Sequence, residues 1–397
     1  MPNIKRILKV AMLVVDANDA GGSSNRDTTR IGPVLHPAVD NLLEGLSHRD
    51  DVQIDVLYGK QNPTPEESRQ TGAIRYVPVP YKRLPVPGMG GAYLGRAVAL
   101  LREVKRRNPD VVHAQGTERE SGLVAAFCGF PSVVTLHGNL SEIARTMKAT
   151  PFSYFWSAAK LERWALPRVM MVHCISTHTQ KSVEALAKKT WIIPNAVAND
   201  YFEVHNRPSM SPSVICIAGI AEWKNQLTLV EACDRLHDEF PDTKVDFFGA
   251  CNTTSPYGKS FIDSLTARPW CHFHGQSSKK TMLEAMETAT CSVLPSLMEN
   301  CPVSILESMA AGVVVLGANV GGIPDLIESK RTGLLFDPHD NQELGNLLVT
   351  IHRDRENMAL FARAGRADAA KRFSIQAVTE AHIEMYRSLL ISKQSDE

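Results

Sequence analysis

Two successive blocks of short apolar runs, each run followed by a longer stretch of helical spacing, constrain this chain more than any other feature. A strand buried on both faces reads as a continuous run of Val, Ile and Leu, and a helix between two such runs makes them parallel neighbours. In the first block the runs are Ile7–Val15, Val52–Leu57, Val111–Ala114, Val133–His137 and Met170–Ile175, with helical stretches at Gly91–Arg107 and Ser121–Phe127. Residues 196–212 are polar and carry Pro208 and Pro212, so they read as a linker. The alternation restarts at Val214–Ala218, Lys244–Phe248, His272–Phe273, Ser292–Leu294, Val313–Leu316 and Leu334–Phe336, with Asn225–Phe240 as its first helix. The predicted fold class is α/β, two doubly wound domains over residues 1–205 and 206–374. A last helix near 375–391 is expected to pack back on the first domain. Ligands of such sheets sit beyond the carboxyl ends of the strands, so a cleft between two of them suits a reaction that joins two substrates.

The chain has 397 residues, which suits two domains at about 150 residues each. Lys+Arg and Asp+Glu are both 43, a balance that argues against a dedicated nucleic-acid binder. No run approaches the roughly 18 apolar residues of a spanning helix. The basic and then apolar start has the look of a signal peptide, but it runs into Asp16-Ala17-Asn18-Asp19 with no small-residue cleavage pattern, and reads as a first buried strand. The eight cysteines form no Cys-x-x-Cys pair. They read as small buried hydrophobes in a reducing, cytoplasmic setting.

The most informative segment is Pro295-Ser296-Leu297-Met298-Glu299-Asn300-Cys301-Pro302-Val303, continuing through Glu307 to Gly312. It follows a buried strand, so Ser296–Asn300 is predicted as a loop at that strand's carboxyl end, and Pro302 as the first residue of a helix. Free N–H groups at such a helix start bind anions. Glu299 precedes the helix and Glu307 lies about a turn and a half inside it. A carboxylate accepts paired sugar hydroxyls. The same spacing also fits an acid complementing the helix dipole and a solvated Glu, and spacing alone leaves both readings open.

With its neighbours this segment resembles the family 4 glycosyltransferases. The resemblance rests on Glu299…Glu307-Ser308-Met309-Ala310-Ala311-Gly312, on Val320-Gly321-Gly322-Ile323-Pro324 and Thr332-Gly333-Leu334, and upstream on Pro109-Asp110-Val111-Val112-His113, Thr135-Leu136-His137-Gly138 and Ile193-Pro194-Asn195. It implies the GT-B architecture, two Rossmann-like domains facing a central cleft. It implies sugar transfer from a nucleotide-diphosphate sugar to a hydroxyl acceptor with retention of configuration, in cell-surface glycan or polysaccharide assembly.

Carried over, the resemblance gives Glu307 the ribose hydroxyls and Glu299 the transferred sugar. Backbone around Asn300, Cys301 and Val303 is implied to touch sugar and diphosphate, beside Pro302, which has no N–H to give. Lys224, after Gly219, matches the phosphate-binding lysine, and His137 a residue beside the reacting sugar. Ile220 stands where an arginine is usual, so one expected cation is missing. Gly21 and Gly22 match a glycine pair that lets backbone approach the diphosphate or acceptor. No Asp-x-Asp occurs, in keeping with chemistry that needs no metal and no cofactor beyond the co-substrate.

Two alternatives stay open: a nucleotide-sugar epimerase of the same architecture, and a sugar-nucleotide binding protein without catalysis. Cys271, His272 and His274 are close enough to suggest a metal, but show no third ligand beyond that strand. Lys82, Arg83, Arg96, Arg102, Lys105, Arg106 and Arg107 surround Gly91–Arg107, whose Leu94, Val98, Leu101 and Val104 read as a core face. That stretch fits a solvated face or a peripheral contact with the inner membrane surface, where a lipid-linked acceptor would lie.

Overall fold

The computed structural model describes residues 6–16, 33–84 and 90–396. The chain forms two compact units, 1–194 with 378–397, and 195–377. The boundary therefore falls after Pro194, not at 205/206. The chain crosses back at Val378, within the last helix, Ile375–Asp396.

The first unit holds an eight-stranded sheet of order β3-β4-β2-β1-β5-β6-β7-β8. Its strands are β1 (Leu8–Leu13), β2 (Val52–Lys60), β3 (Arg69–Thr71), β4 (Ile74–Pro80), β5 (Val111–Gln115), β6 (Ser132–Leu136), β7 (Met171–Cys174) and β8 (Thr190–Ile192). All pairings are parallel except β3 with β4. Val111, Val112, Ala114, Val133 and Val134 are fully buried, as strands covered by helices on both faces must be.

Pro78 and Pro80 interrupt the apolar pattern of β4, so no strand is predicted there from the sequence. The structure accommodates them: β2 pairs along the whole strand, whereas β3 reaches only Ile74–Tyr76, so both prolines lie past the end of β3. The helix Gly90–Arg107 is also phased differently from expectation. Leu94 and Val98 are exposed, and Ala97, Leu100 and Val104 face the core.

The second unit holds six parallel strands in the order β11-β10-β9-β12-β13-β14. They are β9 (Ser213–Ile217), β10 (Lys244–Phe248), β11 (Cys271–Phe273), β12 (Cys291–Leu294), β13 (Val314–Ala318) and β14 (Leu334–Phe336). The order reverses between β9 and β12, the switch point at which loops from neighbouring strands diverge and leave room for a ligand.

Residues 196–212 are not a loose linker. Val197, Tyr201 and Val204 are buried, Asn199–Phe202 is a helical turn, and the Val197 N–H donates to the Phe373 carbonyl. Enough apolar side chains sit among the polar ones to hold this segment on the second unit.

Candidate functional site

The switch point brings two loops together. The chain leaving β9 runs through Gly219 and Ile220 into a 3₁₀ turn, Glu222–Lys224. Asn225 then adopts a left-handed conformation (φ 57°) and caps the helix Gln226–Glu239. Buried Gln226 donates from Nε2 to the Gly219 carbonyl, 2.9 Å, which fixes the loop on the helix it precedes. The chain leaving β12 forms the loop of Ser296–Asn300. The Leu297 N–H donates to the Trp223 carbonyl, 2.8 Å, and stitches the two loops to each other.

This register sets Lys224 Nζ against Glu299 Oε1 in an ion pair whose side chains are 23% and 9% exposed. Ser296, fully buried, donates its hydroxyl to the same carboxylate oxygen at 2.8 Å. Glu299 is thus oriented from two sides. Its backbone carbonyl accepts from the Gly322 N–H, and Gly321 is in the left-handed region, where a Cβ would lie 1.9 Å from that carbonyl oxygen. Glycine at 321 is therefore a packing requirement of the Glu299 loop.

The helix after the loop is Val303–Ala310. Pro302 is its N-cap, with extended backbone (φ −67°, ψ 117°), rather than its first helical residue. Proline's fixed φ suits either position, and its missing N–H takes nothing from the first turn. The first-turn N–H groups of Val303 and Ser304 are among those a helix leaves without an intrahelical acceptor. Asn195 holds the approach: its Nδ2 donates to the Cys301 carbonyl, 2.9 Å, and its N–H to Cys301 Sγ. Burial pushes the Cys301 thiol up to about 12, so it is no nucleophile.

Glu307 lies one turn further in, hydrogen-bonded to the Tyr201 hydroxyl. Burial pushes its carboxyl up to about 7, partly offset by Tyr201 and by the nearby Lys279. Lys279 in turn pairs with Asp200, 2.6 Å, and lies over the Tyr201 ring. Nothing in the sequence links Tyr201 to Glu307, since Tyr201 falls in a stretch that reads as a linker. Ile220, in the place of the usual arginine, is 7% exposed, and its backbone bridges Cys251.

In the first unit His137 follows β6 at its carboxyl end. Its Nε2 lies 3.0 Å from Gln115 Oε1 at the end of neighbouring β5. A carbonyl oxygen only accepts, so Nε2 carries the hydrogen. Burial, aided by His36 and His173, lowers the His137 pKa to about 3. Behind it lies a buried chain. The carbonyl of Ile193 requires an N–H on His173 Nε2, which leaves His173 Nδ1 to accept from Thr135. Thr135 must then accept from His113 Nε2, and His113 Nδ1 accepts from the Tyr386 hydroxyl. With both histidines neutral, one direction of donation satisfies every link from the last helix to the backbone after β8.

Gly21 and Gly22 lie outside the described residues. His274 bonds Asp246, 2.6 Å, and stacks on Phe248, and among the described residues no group of three His, Cys, Asp or Glu side chains is placed for a metal. In the basic stretch Arg96 is buried against Glu120, and Arg107 pairs with Asp55 and Glu103. Among the described residues no helix is long and apolar enough to cross a membrane.

Two family models match consecutive parts of the chain. Glycosyltransferase Family 4 matches residues 38–201, and Glycosyl transferases group 1 matches residues 197–368. The chain belongs to the family 4 type of glycosyltransferases. Among its relatives, the sulfoquinovosyl transferase SQD2 of Arabidopsis thaliana is 25% identical over 80% of this chain and 63% of that protein, so the chain spans less than two thirds of that relative. The fold is that of the GT-B glycosyltransferases. Sucrose-phosphate synthase from Thermosynechococcus elongatus superposes with a TM-score of 0.76 at 18% identity, covering 97% of this chain and 100% of the other. Anabaena HepE in complex with UDP-glucose gives 0.69 at 19%, covering 96% and 100%.

Proposed function

We propose that this glycosyltransferase moves a sugar from a nucleotide-diphosphate sugar to a hydroxyl acceptor with retention of anomeric configuration, in the assembly of a cell-surface glycan or polysaccharide. The observation that carries the reading is the pairing of Lys224 with Glu299 beside the start of helix Val303–Ala310, with Glu307 one turn further in. A diphosphate fits between Lys224 and the first-turn N–H groups of that helix. Glu299 and Glu307 then serve as acceptors for hydroxyls of the transferred sugar and of the ribose. The complexes of HepE with UDP and UDP-glucose support a donor of that kind.

As the glycosidic bond breaks, charge builds on the leaving diphosphate and is offset by Lys224 and the helix start. The sugar passes through an oxocarbenium-like state, and among the described residues no side chain of the second unit's site is suited to act as a covalent nucleophile. His137 is neutral and donates its Nε2–H to Gln115, which suits a role in orienting the reacting sugar rather than in proton donation.

Thermal shift against UDP-, GDP-, ADP- and TDP-sugars, with Glu307→Ala alongside, tests the donor. One base series should raise the melting temperature by mass action and lose its effect in the variant. No shift with any series would count against the reading. With the donor known, product analysis without acceptor separates transfer from epimerisation, and the anomeric NMR signal of the glycosylated acceptor tests retention.

A further inference from the structure

At the amino ends of the strands, the end of the second sheet opposite the Glu299 loop, lies a cavity of about 430 Å³. The amino ends of β12 and β13 meet it at Thr290 and Val314, and the helices Asn341–Arg353 and Arg355–Arg372 add Ile351 and Met358. The floor is apolar, and the volume lies within the range of small-molecule sites.

Four arginines, Arg207, Arg355, Arg363 and Arg366, open onto this space, and no Asp or Glu lines it. None of the four has a carboxylate partner among the described residues. Two of them brace the chain: Arg355 donates to the carbonyls of Pro208, Ser209 and Met210, and Arg366 to those of Phe202 and Val204. Those bonds leave the charge uncompensated. Arg207 and Arg363 are exposed at the rim and make no such bonds. His352, which also lines the cavity, has a buried Nδ1 with no hydrogen-bond partner. Helix carboxyl ends at Ala311 and Arg353 account for some basic charge nearby, but not for two unengaged guanidinium groups facing one apolar hollow.

We propose that this cavity is a second ligand site, distinct from the sugar-nucleotide site, which takes a phosphate monoester with an apolar body. Guanidinium groups match phosphate oxygens bidentately, an Nδ1–H of His352 supplies a further donor, and the apolar floor holds the organic part.

Hexyl phosphate is the probe, titrated calorimetrically into the full chain, with inorganic phosphate and 1-hexanol as comparators. Hexyl phosphate should bind at least tenfold more tightly than inorganic phosphate, and 1-hexanol should give no heat. The double variant Arg207→Ala/Arg363→Ala alters only rim side chains and should weaken hexyl phosphate at least tenfold with an unchanged melting temperature. Lys224→Ala should leave it unaffected. Retained binding in the double variant, loss of binding in Lys224→Ala, or no binding of hexyl phosphate to the parent chain would each overturn the assignment. Equal affinity for hexyl and inorganic phosphate would overturn the apolar part of it.

Discussion

Tyr201 donates its phenolic hydrogen to the carboxylate of Glu307, far along the chain, and the bond opposes what burial does to that carboxyl. Burial raises it from 4.5 to about 7. A group that binds protons more strongly when folded contributes stability at low pH, and this is lost as pH rises through its folded value. Glu307→Gln should therefore stabilise the unliganded chain at pH 8 by roughly 1–3 kcal/mol, checked by denaturant melts. Donor affinity should move the other way. With Glu307 on the ribose as proposed, that affinity needs the carboxylate, so it should fall below pH about 7, and Tyr201→Phe should shift that midpoint upward. A pH-independent affinity would contradict the assignment of Glu307 to the ribose.

Lys224 and Glu299 are ion-paired with each other, and in the proposed donor complex both act on the same ligand. Removing a cation from the leaving diphosphate should lower kcat by about 10²–10³-fold. Glu299→Ala should cost a similar factor, and the double variant should lose much less than the product of the two, because contacting residues are not additive. Steady-state kinetics with the nucleotide sugar found by thermal shift decide this. Full additivity would mean that the ion pair does not operate in the complex.

His137 stays neutral, since burial holds its pKa near 3. The pH profile of kcat should show no inflection from it between about pH 5 and 8, the interval in which an unperturbed histidine titrates. Gln115→Leu removes the acceptor of Nε2–H and should lower kcat about tenfold by releasing the tautomer, with the ¹⁵N shifts of the His137 ring as the direct readout.

The buried histidines make the first unit acid-sensitive. Burial lowers His173 to about 4 and His382 to about 3, and His113 well below 6.5. On unfolding each takes up a proton below pH 6.5, so stability is lost as pH falls through that value. The loss reaches up to about 2 kcal/mol per histidine at pH 5. His382→Met should flatten the fall in melting temperature between pH 7 and 5, and an unchanged slope would remove His382 from the account.

Two glycines should separate packing from ligand approach. A Cβ at Gly219 meets only the Ala250 carbonyl oxygen at 3.7 Å, so Gly219→Ala should keep its stability within about 0.5 kcal/mol while weakening the donor. Gly321→Ala drives a Cβ into the Glu299 carbonyl at positive φ, and should lower both melting temperature and activity. Normal activity in Gly321→Ala would show that the Glu299 loop tolerates displacement.

The order of runs along the chain determined most of the architecture. β5, β6, β9, β10, β12 and β14 lie within a residue or so of the apolar runs that announce them, because strands buried on both faces admit little but Val, Ile, Leu and Phe. The placement of the Glu299–Glu307 segment, Lys224 and His137 at strand ends and helix starts was also legible, since the apolar runs mark where those strands end. Only the tertiary structure decided what surrounds them. Strand order places the β9 and β12 loops side by side, and so gives Lys224 to Glu299. It also turns residues 196–212 from an apparent linker into a packed segment that delivers Tyr201 to Glu307, and brings Arg207 of that segment beside three arginines of the helix Arg355–Arg372 around one cavity. Periodicity records which face of an element is buried. It carries no record of which distant element covers that face, because this depends on the sheet order and on how the side chains fill the space between layers.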